Sequence, residues 1–288
     1  MDHHHLRPIR SVLYLPAVNS RAVEKARTIP CDAVILDLED AVAPEAKEVA
    51  RQQAVEAVRA GGFGRRLVTV RVNGLDTPWG LDDLAAVAEA APAAVVVPKI
   101  AGVADLERVS QAMRETGGDV LPLWPMIETP SAVLDARAIA MHPGVEVLVL
   151  GTNDLLLELR ARAVPGRSPL LHSLTHTVLA ARAAGVRVID GVCNDFKDVD
   201  ALAAECRQGV ELGFDGKTLI HPAQVEPCNA AWTPSADEVA HAQRVVEAFE
   251  AASAGGRGVA TVDGRMVEHL HVAIARRVLD LAGPAGAS

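Results

Sequence analysis

The sequence has few aromatic residues: Phe, Trp and Tyr make up only 3% of the 288 residues, although 50% are apolar. A large core can therefore form, but it has to be built mainly from Ala, Val and Leu. Such side chains suit the layered interior of an α/β barrel. The length is typical of one barrel of about 250 residues with an additional tail.

Sequence signals of several other protein classes are absent. No apolar run reaches the roughly 18 residues of a membrane span, and no signal-peptide pattern is found. The net charge of −9 argues against a general nucleic-acid or membrane surface, although a local basic pocket for a phosphorylated ligand stays open. The four cysteines lack CxxC or zinc-type spacing, so we expect reduced, mostly buried thiols in a cytoplasmic protein. The run His3–His5 is consistent with an expression tag and is excluded from metal assignments.

Short apolar runs that end abruptly in polar residues occur seven times along the chain. The run 34–38, for example, is followed by Glu39 and Asp40, and the run 145–150 is followed by Gly151. Apolar runs of this length, with amphipathic stretches between them, indicate buried parallel strands joined by crossover helices. Barrels and open α/β sheets place their chemistry at the carboxyl ends of such strands. The pattern therefore predicts an enzyme.

The periodicity predicts eight strands alternating with seven helices. The strands are expected near residues 12–15, 33–38, 67–72, 94–98, 121–127, 145–150, 186–190 and 216–220. The helices are expected near residues 20–28, 45–60, 80–90, 103–116, 130–140, 169–184 and 198–212. A (β/α)8 barrel, the TIM-barrel fold, explains this alternation. A doubly wound open sheet is the alternative, and it is disfavoured because no GxGxxG sequence follows any strand.

The alternation stops near the C-terminus, where two further helices are predicted. Ser235 can cap the first, a glycine-rich hinge follows at 255–258, and the last helix spans about 267–282. A hinge before a short charged segment is how lids are built, although a helix docked only for stability fits the pattern equally. We predict a barrel over residues 8–232 and C-terminal helices with a lid segment over residues 233–288.

Two carboxylates, Glu128 and Asp154, follow the fifth and sixth predicted strands. Neighbouring strand ends meet at one mouth of a barrel, so the two side chains are expected close together. Two carboxylates with waters and substrate oxygens are a usual set of ligands for Mg²⁺. Each residue alone could instead cap the helix that follows it, but the pair at adjacent strand ends favours a metal site.

Charged residues at other strand ends are candidates for substrate binding and proton transfer. Arg71 ends the third strand and can bind a carboxylate through two hydrogen bonds, or pair with Glu39 or Asp40. Asp37, Glu39 and Asp40 place three acids within four positions. Such density on a buried strand end is costly unless a metal, an arginine or a substrate compensates. Lys99 is a candidate Schiff-base amine, although a paired structural lysine is favoured.

Five segments together carry a resemblance to a known family: Arg10-Ser11-Val12-Leu13, Leu36-Asp37-Leu38-Glu39-Asp40-Ala41-Val42, Val70-Arg71-Val72-Asn73, Met126-Ile127-Glu128-Thr129 and residues 216–224. In this order, they resemble the citrate lyase β-subunit-like family of the HpcH/HpaI aldolase superfamily, which includes malyl-CoA and citramalyl-CoA lyases. The resemblance extends from about residue 10 to residue 282. It implies a (β/α)8 barrel that assembles as a homotrimer or a hexamer, but it does not fix the substrate.

The resemblance also implies roles for particular residues. Mg²⁺ would be held by Glu128 and Asp154. Arg71 matches the arginine that binds the carboxylate of a small oxo-acid, and backbone amides around Asn153 would hold the same group. Lys25 aligns with a basic residue that contacts coenzyme A. At the other expected phosphate contact this chain has Asn19, with Arg21 close by, so the sequence supports the coenzyme A site only in part.

The C-terminal segment departs from the family pattern. Family lyases carry an aspartate in a Met-Ile-Asp sequence that acts as acid/base over a neighbouring subunit's site, and Glu268 stands at that position here. Glutamate keeps the carboxylate but reaches roughly one methylene further, and small misplacements can cost about a hundredfold in rate. We take Glu268, Asp40 and Arg71 as the catalytic residues, with Asp263 as a further candidate for proton transfer and Glu39 as substrate-binding.

A second departure bears on the reaction. Thr152-Asn153-Asp154 stands where many family members have an acidic residue before the aspartate, and it resembles the (3S)-malyl-CoA thioesterase branch. The main prediction is a Mg²⁺-dependent carbon–carbon lyase that converts malyl-CoA or citramalyl-CoA to acetyl-CoA plus glyoxylate or pyruvate. One alternative is a (3S)-malyl-CoA thioesterase. The other is a citrate lyase β-type subunit that acts on an acyl carrier protein.

Overall fold

The computed structural model describes residues 8–116 and 120–282, so His3–His5 lies outside the described residues. The chain divides into two compact units between Asn229 and Ala230. The predicted division after residue 232, with a lid in the second part, stays a prediction.

Eight parallel strands of the first unit close into a barrel in chain order. They are β1 (Ser11–Pro16), β2 (Ala33–Asp37), β3 (Leu67–Arg71), β4 (Ala94–Val97), β5 (Leu123–Ile127), β6 (Val147–Leu150), β7 (Arg187–Asp190) and β8 (Gly216–Leu219). β1 pairs with both β2 and β8, which completes the ring. The predicted (β/α)8 barrel is confirmed.

Helices follow the strands as the crossover connections of a parallel barrel require. They are α1 (Ser20–Ala26), α2 (Lys47–Ala60), α3 (Gly80–Ala90), α4 (Val103–Glu115), α5 (Pro130–Leu134), α6 (Ala136–Ala140), α7 (Thr152–Glu158), α8 (Leu171–Ala184), α9 (Val199–Leu212) and α10 (Val225–Ala231). The single helix predicted over 130–140 is wrong, because the chain breaks at Asp135 into α5 and α6. The short helices α7 and α10 were not predicted.

The barrel interior is filled mainly by aliphatic side chains, with Trp124 as its largest member. Successive side chains of a strand point to opposite faces. Trp124 and Met126 of β5 belong to the interior cluster, so Glu128 follows on the same inner side just beyond the strand. Ala33 and Ile35 likewise lead to Asp37 in β2. Because every second side chain of a strand points inward, polar side chains at the strand ends lie at the mouth of the barrel, above the apolar interior.

The second unit contains α11 (Ala236–Ala254), β9 (Ala260–Val262), β10 (Arg265–Val267) and α12 (His269–Ala282). Ser235 caps α11 as predicted, since its hydroxyl accepts a hydrogen bond of 3.2 Å from the amide of Glu238. β9 and β10 form an antiparallel hairpin whose turn residues, Asp263 and Gly264, both have positive φ. That turn favours a hairpin. The last helix, predicted over about 267–282, is present and begins two residues later, at His269, because Val267 ends the hairpin.

The four cysteines of the described residues are all buried and unpaired: Cys31, Cys193, Cys206 and Cys228. Burial raises the pKa of Cys193 to about 11, so this thiol is not an activated nucleophile. Across residues 8–116 and 120–282, every helix is too short or too polar to cross a membrane.

Candidate active site

A pocket of about 310 Å³ lies at the carboxyl ends of the barrel strands. Its lining combines polar side chains from the strand ends with an apolar floor. The polar residues are Tyr14, Asp37, Asp40, Arg71, Thr152, Asn153, Asp154 and Thr218. The cavity is therefore at the edge where barrel enzymes place their chemistry.

Glu128 lies just beyond β5 and is 1% exposed. Its Oε1 atom accepts a 2.6 Å hydrogen bond from the backbone amide of Lys99, while its buried Oε2 atom has no hydrogen-bond donor among the described residues. Burial raises the pKa of Glu128 to about 8, although the Lys99 amide opposes the rise. Thr129, not Glu128, caps α5. A desolvated carboxylate oxygen without a donor is a position where a cation would be stabilised.

Asp154 lies in the first turn of α7, and its side chain is 30% exposed. The cap position of this helix is Gly151, so Asp154 is not the cap. A Cβ atom on Gly151 would lie 2.2 Å from Oε2 of Glu128. Glycine at this position therefore makes room for the Glu128 carboxylate beside the start of α7, the helix that carries Asp154.

Arg71 is buried and held mainly by Asp37. Its Nε and Nη2 atoms donate to the two Asp37 oxygens at 2.6 and 2.7 Å, and Nη1 lies 2.8 Å from Glu39. Burial alone would lower the pKa of Arg71, but Asp37 raises it well above its usual value. Nη1 also donates a 3.8 Å hydrogen bond to the Met126 sulfur, a weak acceptor. These contacts leave one Nη2 hydrogen without an acceptor among the described residues, beside an Nη1 hydrogen that only the sulfur holds. The guanidinium can thus bind a substrate carboxylate while it stays anchored to the barrel.

Lys99 supplies the second cation of the site. Its Nζ atom lies 3.0 Å from Glu39 and 3.4 Å from Asp40. Burial alone would lower the pKa of Lys99, but the hydrogen bond to Glu39 raises it above its usual value. The ammonium therefore keeps its proton, and the paired structural role fits better than a Schiff-base amine.

The pocket is acidic overall, and this bears on metal binding. The two cationic side chains, Arg71 and Lys99, form ion pairs with four carboxylates, those of Asp37, Glu39, Asp40 and Asp154. A fifth carboxylate, that of Glu128, contacts only the backbone amide of Lys99. In the part of the chain that the structure describes, no three His, Cys, Asp or Glu side chains form a preassembled metal centre. The carboxylates of Glu128 and Asp154 suit a hard divalent cation that keeps several of its waters, because one Glu128 oxygen has no hydrogen-bond donor among the described residues. The residues present therefore fit Mg²⁺.

Two other predicted binding residues lie at the same end of the barrel or on its first helix. The side chain of Asn153 exchanges two hydrogen bonds with that of Asn194, at 3.1 and 2.7 Å. This pair links the first turn of α7 to the loop after β7. Lys25 is exposed in the last turn of α1. Its role as a contact for coenzyme A stays a prediction.

The predicted acid/base residues of the C-terminal segment belong to the second unit. The amide of Glu268 donates a 3.0 Å hydrogen bond to His271, and the residue as a whole is half-buried. Asp263 is exposed and pairs with Arg244 at 3.1 Å and with His241 at 3.2 Å. The hydrogen bond from Arg244 lowers the pKa of Asp263. Because Asp263 is already paired, Glu268 is the better candidate for proton transfer.

Sequence reasoning missed two features around the site. Tyr14, the single tyrosine, lies with its ring 4.9 Å from the Arg71 guanidinium carbon. Tyr14 is two residues after Val12, which points inward, so the alternation along β1 could have predicted that Tyr14 also faces the barrel interior. Behind the pocket, Lys217 and Arg167 pair with the buried Asp190 at 2.9 and 2.7 Å. Burial would raise the pKa of Asp190, but these two cations lower it. No sequence pattern indicated this network.

Comparisons with known proteins agree with this architecture. Residues 10–222 match the family described as HpcH/HpaI aldolase/citrate lyase, and residues 167–286 match the family described as C–C bond lyase of the TIM-barrel fold. A (3S)-malyl-CoA thioesterase from Cereibacter sphaeroides is 48% identical over 276 residues, which cover 96% of this chain and 95% of the relative. The citrate lyase subunit beta of Escherichia coli is 35% identical over 290 residues, covering 97% and 95% of the two chains.

A solved structure extends the comparison to bound ligands. The protein CitE from Mycobacterium tuberculosis, in complex with magnesium, acetoacetate and coenzyme A, superposes with a TM-score of 0.80. It is 29% identical, and the match covers 96% of this chain and 98% of that one. The chain described here therefore belongs to the HpcH/HpaI aldolase/citrate lyase family of enzymes.

Proposed function

We propose that this protein is a Mg²⁺-dependent thioesterase that hydrolyses a β-hydroxyacyl-CoA of the (3S)-malyl-CoA type. The observation that carries the proposal is 48% identity, over nearly the whole chain, to (3S)-malyl-CoA thioesterases. The citrate lyase relatives are more distant, at 35% identity. The thioesterase, an alternative at the level of sequence motifs, thus takes precedence over the carbon–carbon lyase.

Glu128 and Asp154 would hold the metal. The undonated Oε2 atom of Glu128 and the excess of carboxylates in the pocket support this assignment. The related protein from Mycobacterium tuberculosis was solved with magnesium. When bound, Mg²⁺ supplies Lewis-acid polarisation of substrate oxygens.

Arg71 would bind the free carboxylate of the acyl group. The unused Nη2 hydrogen and the Nη1 hydrogen now on the Met126 sulfur at 3.8 Å could donate to the two oxygens of a carboxylate that displaces this weak contact. The bonds to Asp37 fix the guanidinium plane before substrate arrives, so little side-chain entropy is lost on binding. Backbone amides around Asn153 would contact the same group, and Glu39 would orient it through its contact with Arg71.

Hydrolysis needs a base for the attacking water and an acid for the leaving thiolate. Water adds to the thioester carbon, its proton passes to a carboxylate, and the carbon–sulfur bond then breaks to release coenzyme A. Glu268 is our candidate for this proton transfer, with the half-exposed Asp40 at the pocket mouth as the second.

Lys25 would contact the coenzyme A phosphates. We expect a cytoplasmic homotrimer or hexamer, in which the segment with Glu268 serves its own or a neighbouring barrel.

The carbon–carbon lyase is the second candidate, and the match of residues 167–286 to the C–C bond lyase family favours it. In that reaction a base would remove the hydroxyl proton, and the carbon–carbon bond would break to give glyoxylate or pyruvate and the enolate of acetyl-CoA. The enolate would then take a proton on carbon and leave as acetyl-CoA. The similarity to citrate lyase subunit beta supports a third candidate, a subunit that acts on an acyl carrier protein.

A product assay on the purified protein separates these candidates. The protein is incubated with malyl-CoA, with and without Mg²⁺, and free thiol, malate, glyoxylate and acetyl-CoA are measured separately. Malate with free coenzyme A, lost on chelation, is the result expected of the thioesterase. Glyoxylate with acetyl-CoA would instead establish the lyase, and citramalyl-CoA tests the pyruvate version. Turnover only after addition of acyl carrier protein would identify the partner-dependent subunit.

A further inference from the structure

Lys99 has an unusual backbone conformation directly beside the proposed metal ligands. It follows β4 and Pro98 with a φ of +52°, a value that non-glycine residues adopt only infrequently. In this conformation its backbone amide donates the 2.6 Å hydrogen bond to Oε1 of Glu128. The same residue thus orients one carboxylate through its main chain and contacts others through its side chain.

The ammonium of Lys99 lies among three carboxylates. Its Nζ atom is 3.0 Å from Glu39, 3.4 Å from Asp40 and 3.8 Å from Asp154. The Asp154 contact is the longest of the three, and Asp154 is one of the two residues that would bind the metal. A divalent cation at Asp154 would therefore be close to a positive charge that already partly neutralises that carboxylate.

The two cations of the site differ in their freedom to move. Arg71 is buried and fixed by both oxygens of Asp37. The Lys99 side chain is 47% exposed, and its ion pairs with Glu39 and Asp40 do not depend on Asp154. Lys99 can therefore leave Asp154 and remain neutralised, whereas Arg71 cannot move without leaving Asp37 unpaired.

We propose that Lys99 is a tethered cation that competes with the divalent metal. In the metal-free enzyme its ammonium partly neutralises Asp154, and when the metal binds it withdraws onto Glu39 and Asp40. This inference rests on the proposed function in one respect, the assignment of Glu128 and Asp154 as metal ligands. The competition lowers the affinity of the free enzyme for the metal, so that substrate oxygens contribute a larger share of the binding energy.

Metal binding alone tests the proposal, without any assay of activity. Mn²⁺ serves as the probe, and the free ion is followed by electron paramagnetic resonance during titration of the wild type and of Lys99→Met. Removal of the ammonium is expected to tighten Mn²⁺ binding about tenfold. Lys99→Arg keeps the charge and should stay near the wild-type affinity, and the exposed Lys197→Met controls for the change in net charge.

Other outcomes discriminate between this inference and the proposed function. Unchanged or weaker Mn²⁺ binding by a folded Lys99→Met variant would overturn the competition. If Lys99→Met does not fold, Lys99→Gln carries the same prediction, because its amide can still donate to Glu39 without a positive charge. Failure of the wild type to bind Mn²⁺ would instead remove the metal site itself, and Glu128→Gln should show that loss in both the wild-type and Lys99→Met backgrounds.

Discussion

Replacement of Glu128 by Gln should change how stability depends on pH. In the metal-free protein, burial raises the pKa of Glu128 from its usual 4.5 to about 8. Between these values the unfolded chain has lost the proton while the folded chain keeps it. The free energy of unfolding therefore falls as the pH rises through this window. Gln has the shape of the protonated acid but does not titrate, so the variant lacks this contribution.

The pKa values set the size of the effect. A rise from 4.5 to about 8 corresponds to about 5 kcal/mol between the two protonation states. Between pH 5 and pH 8 the wild type should lose roughly 3 kcal/mol of stability relative to Glu128→Gln. A metal bound at the site would reverse this loss, because it stabilises the ionised carboxylate in the folded state only.

Urea unfolding is measured for both proteins in the presence of a chelator from pH 5 to pH 8. Tryptophan fluorescence reports the transition, since Trp124 is buried in the barrel interior. As the pH rises, the unfolding free energy of the wild type should fall relative to that of Glu128→Gln. Millimolar Mg²⁺ should then restore the wild type at pH 8 and leave the variant unchanged. Parallel pH curves for the two proteins would refute the reasoning about Glu128.

Three further substitutions test other parts of the site. Arg71→Lys should lower kcat/KM about a hundredfold, because an ammonium cannot bind both Asp37 and a substrate carboxylate in fixed geometry. An unchanged KM for malyl-CoA would contradict the role of Arg71 in binding the substrate carboxylate. Gly151→Ala should abolish Mg²⁺ binding in calorimetric titrations, since the Cβ atom of the alanine would lie 2.2 Å from the Glu128 carboxylate. Mg²⁺ binding with wild-type affinity would show that the backbone at residue 151 moves to relieve this contact. Glu268→Gln should lower kcat about a hundredfold and leave the melting temperature within a degree or two, whereas an unaffected kcat would exclude Glu268 from proton transfer.

The strands of the barrel were predictable from the sequence because their physics is local. Most are short runs of β-branched and aliphatic residues, largely buried as parallel strands are, although β8 contains Gly216 and Lys217. The predicted strand 33–38 is β2 (Ala33–Asp37), and the predicted strand 186–190 is β7 (Arg187–Asp190). The hairpin of the second unit was missed because β9 has only three residues, too few for a periodicity to show.

The partners of charged residues could not be assigned in the same way. The predicted contacts of Arg71 with Glu39 and Asp40 are present at 2.8 and 3.8 Å. The sequence did not indicate Asp37, which the barrel register sets opposite Arg71 and which makes the shortest contact, at 2.6 Å. Asp190 and Lys217 are 27 positions apart and meet only because β7 and β8 are neighbours with this register. A shift of one residue in a strand would have turned either side chain to the other face.

The sequence by itself determined the barrel, the family and the mouth at which the polar residues gather, because each depends on short periodic patterns and on motifs at strand ends. Only the tertiary structure decided which oxygen of Glu128 is left without a donor, which acid anchors Arg71 and where the ammonium of Lys99 lies. Those properties depend on burial and on distances of a few ångströms between elements far apart in the chain. Desolvation and Coulomb energies change steeply over such distances, whereas hydrophobic periodicity does not register them.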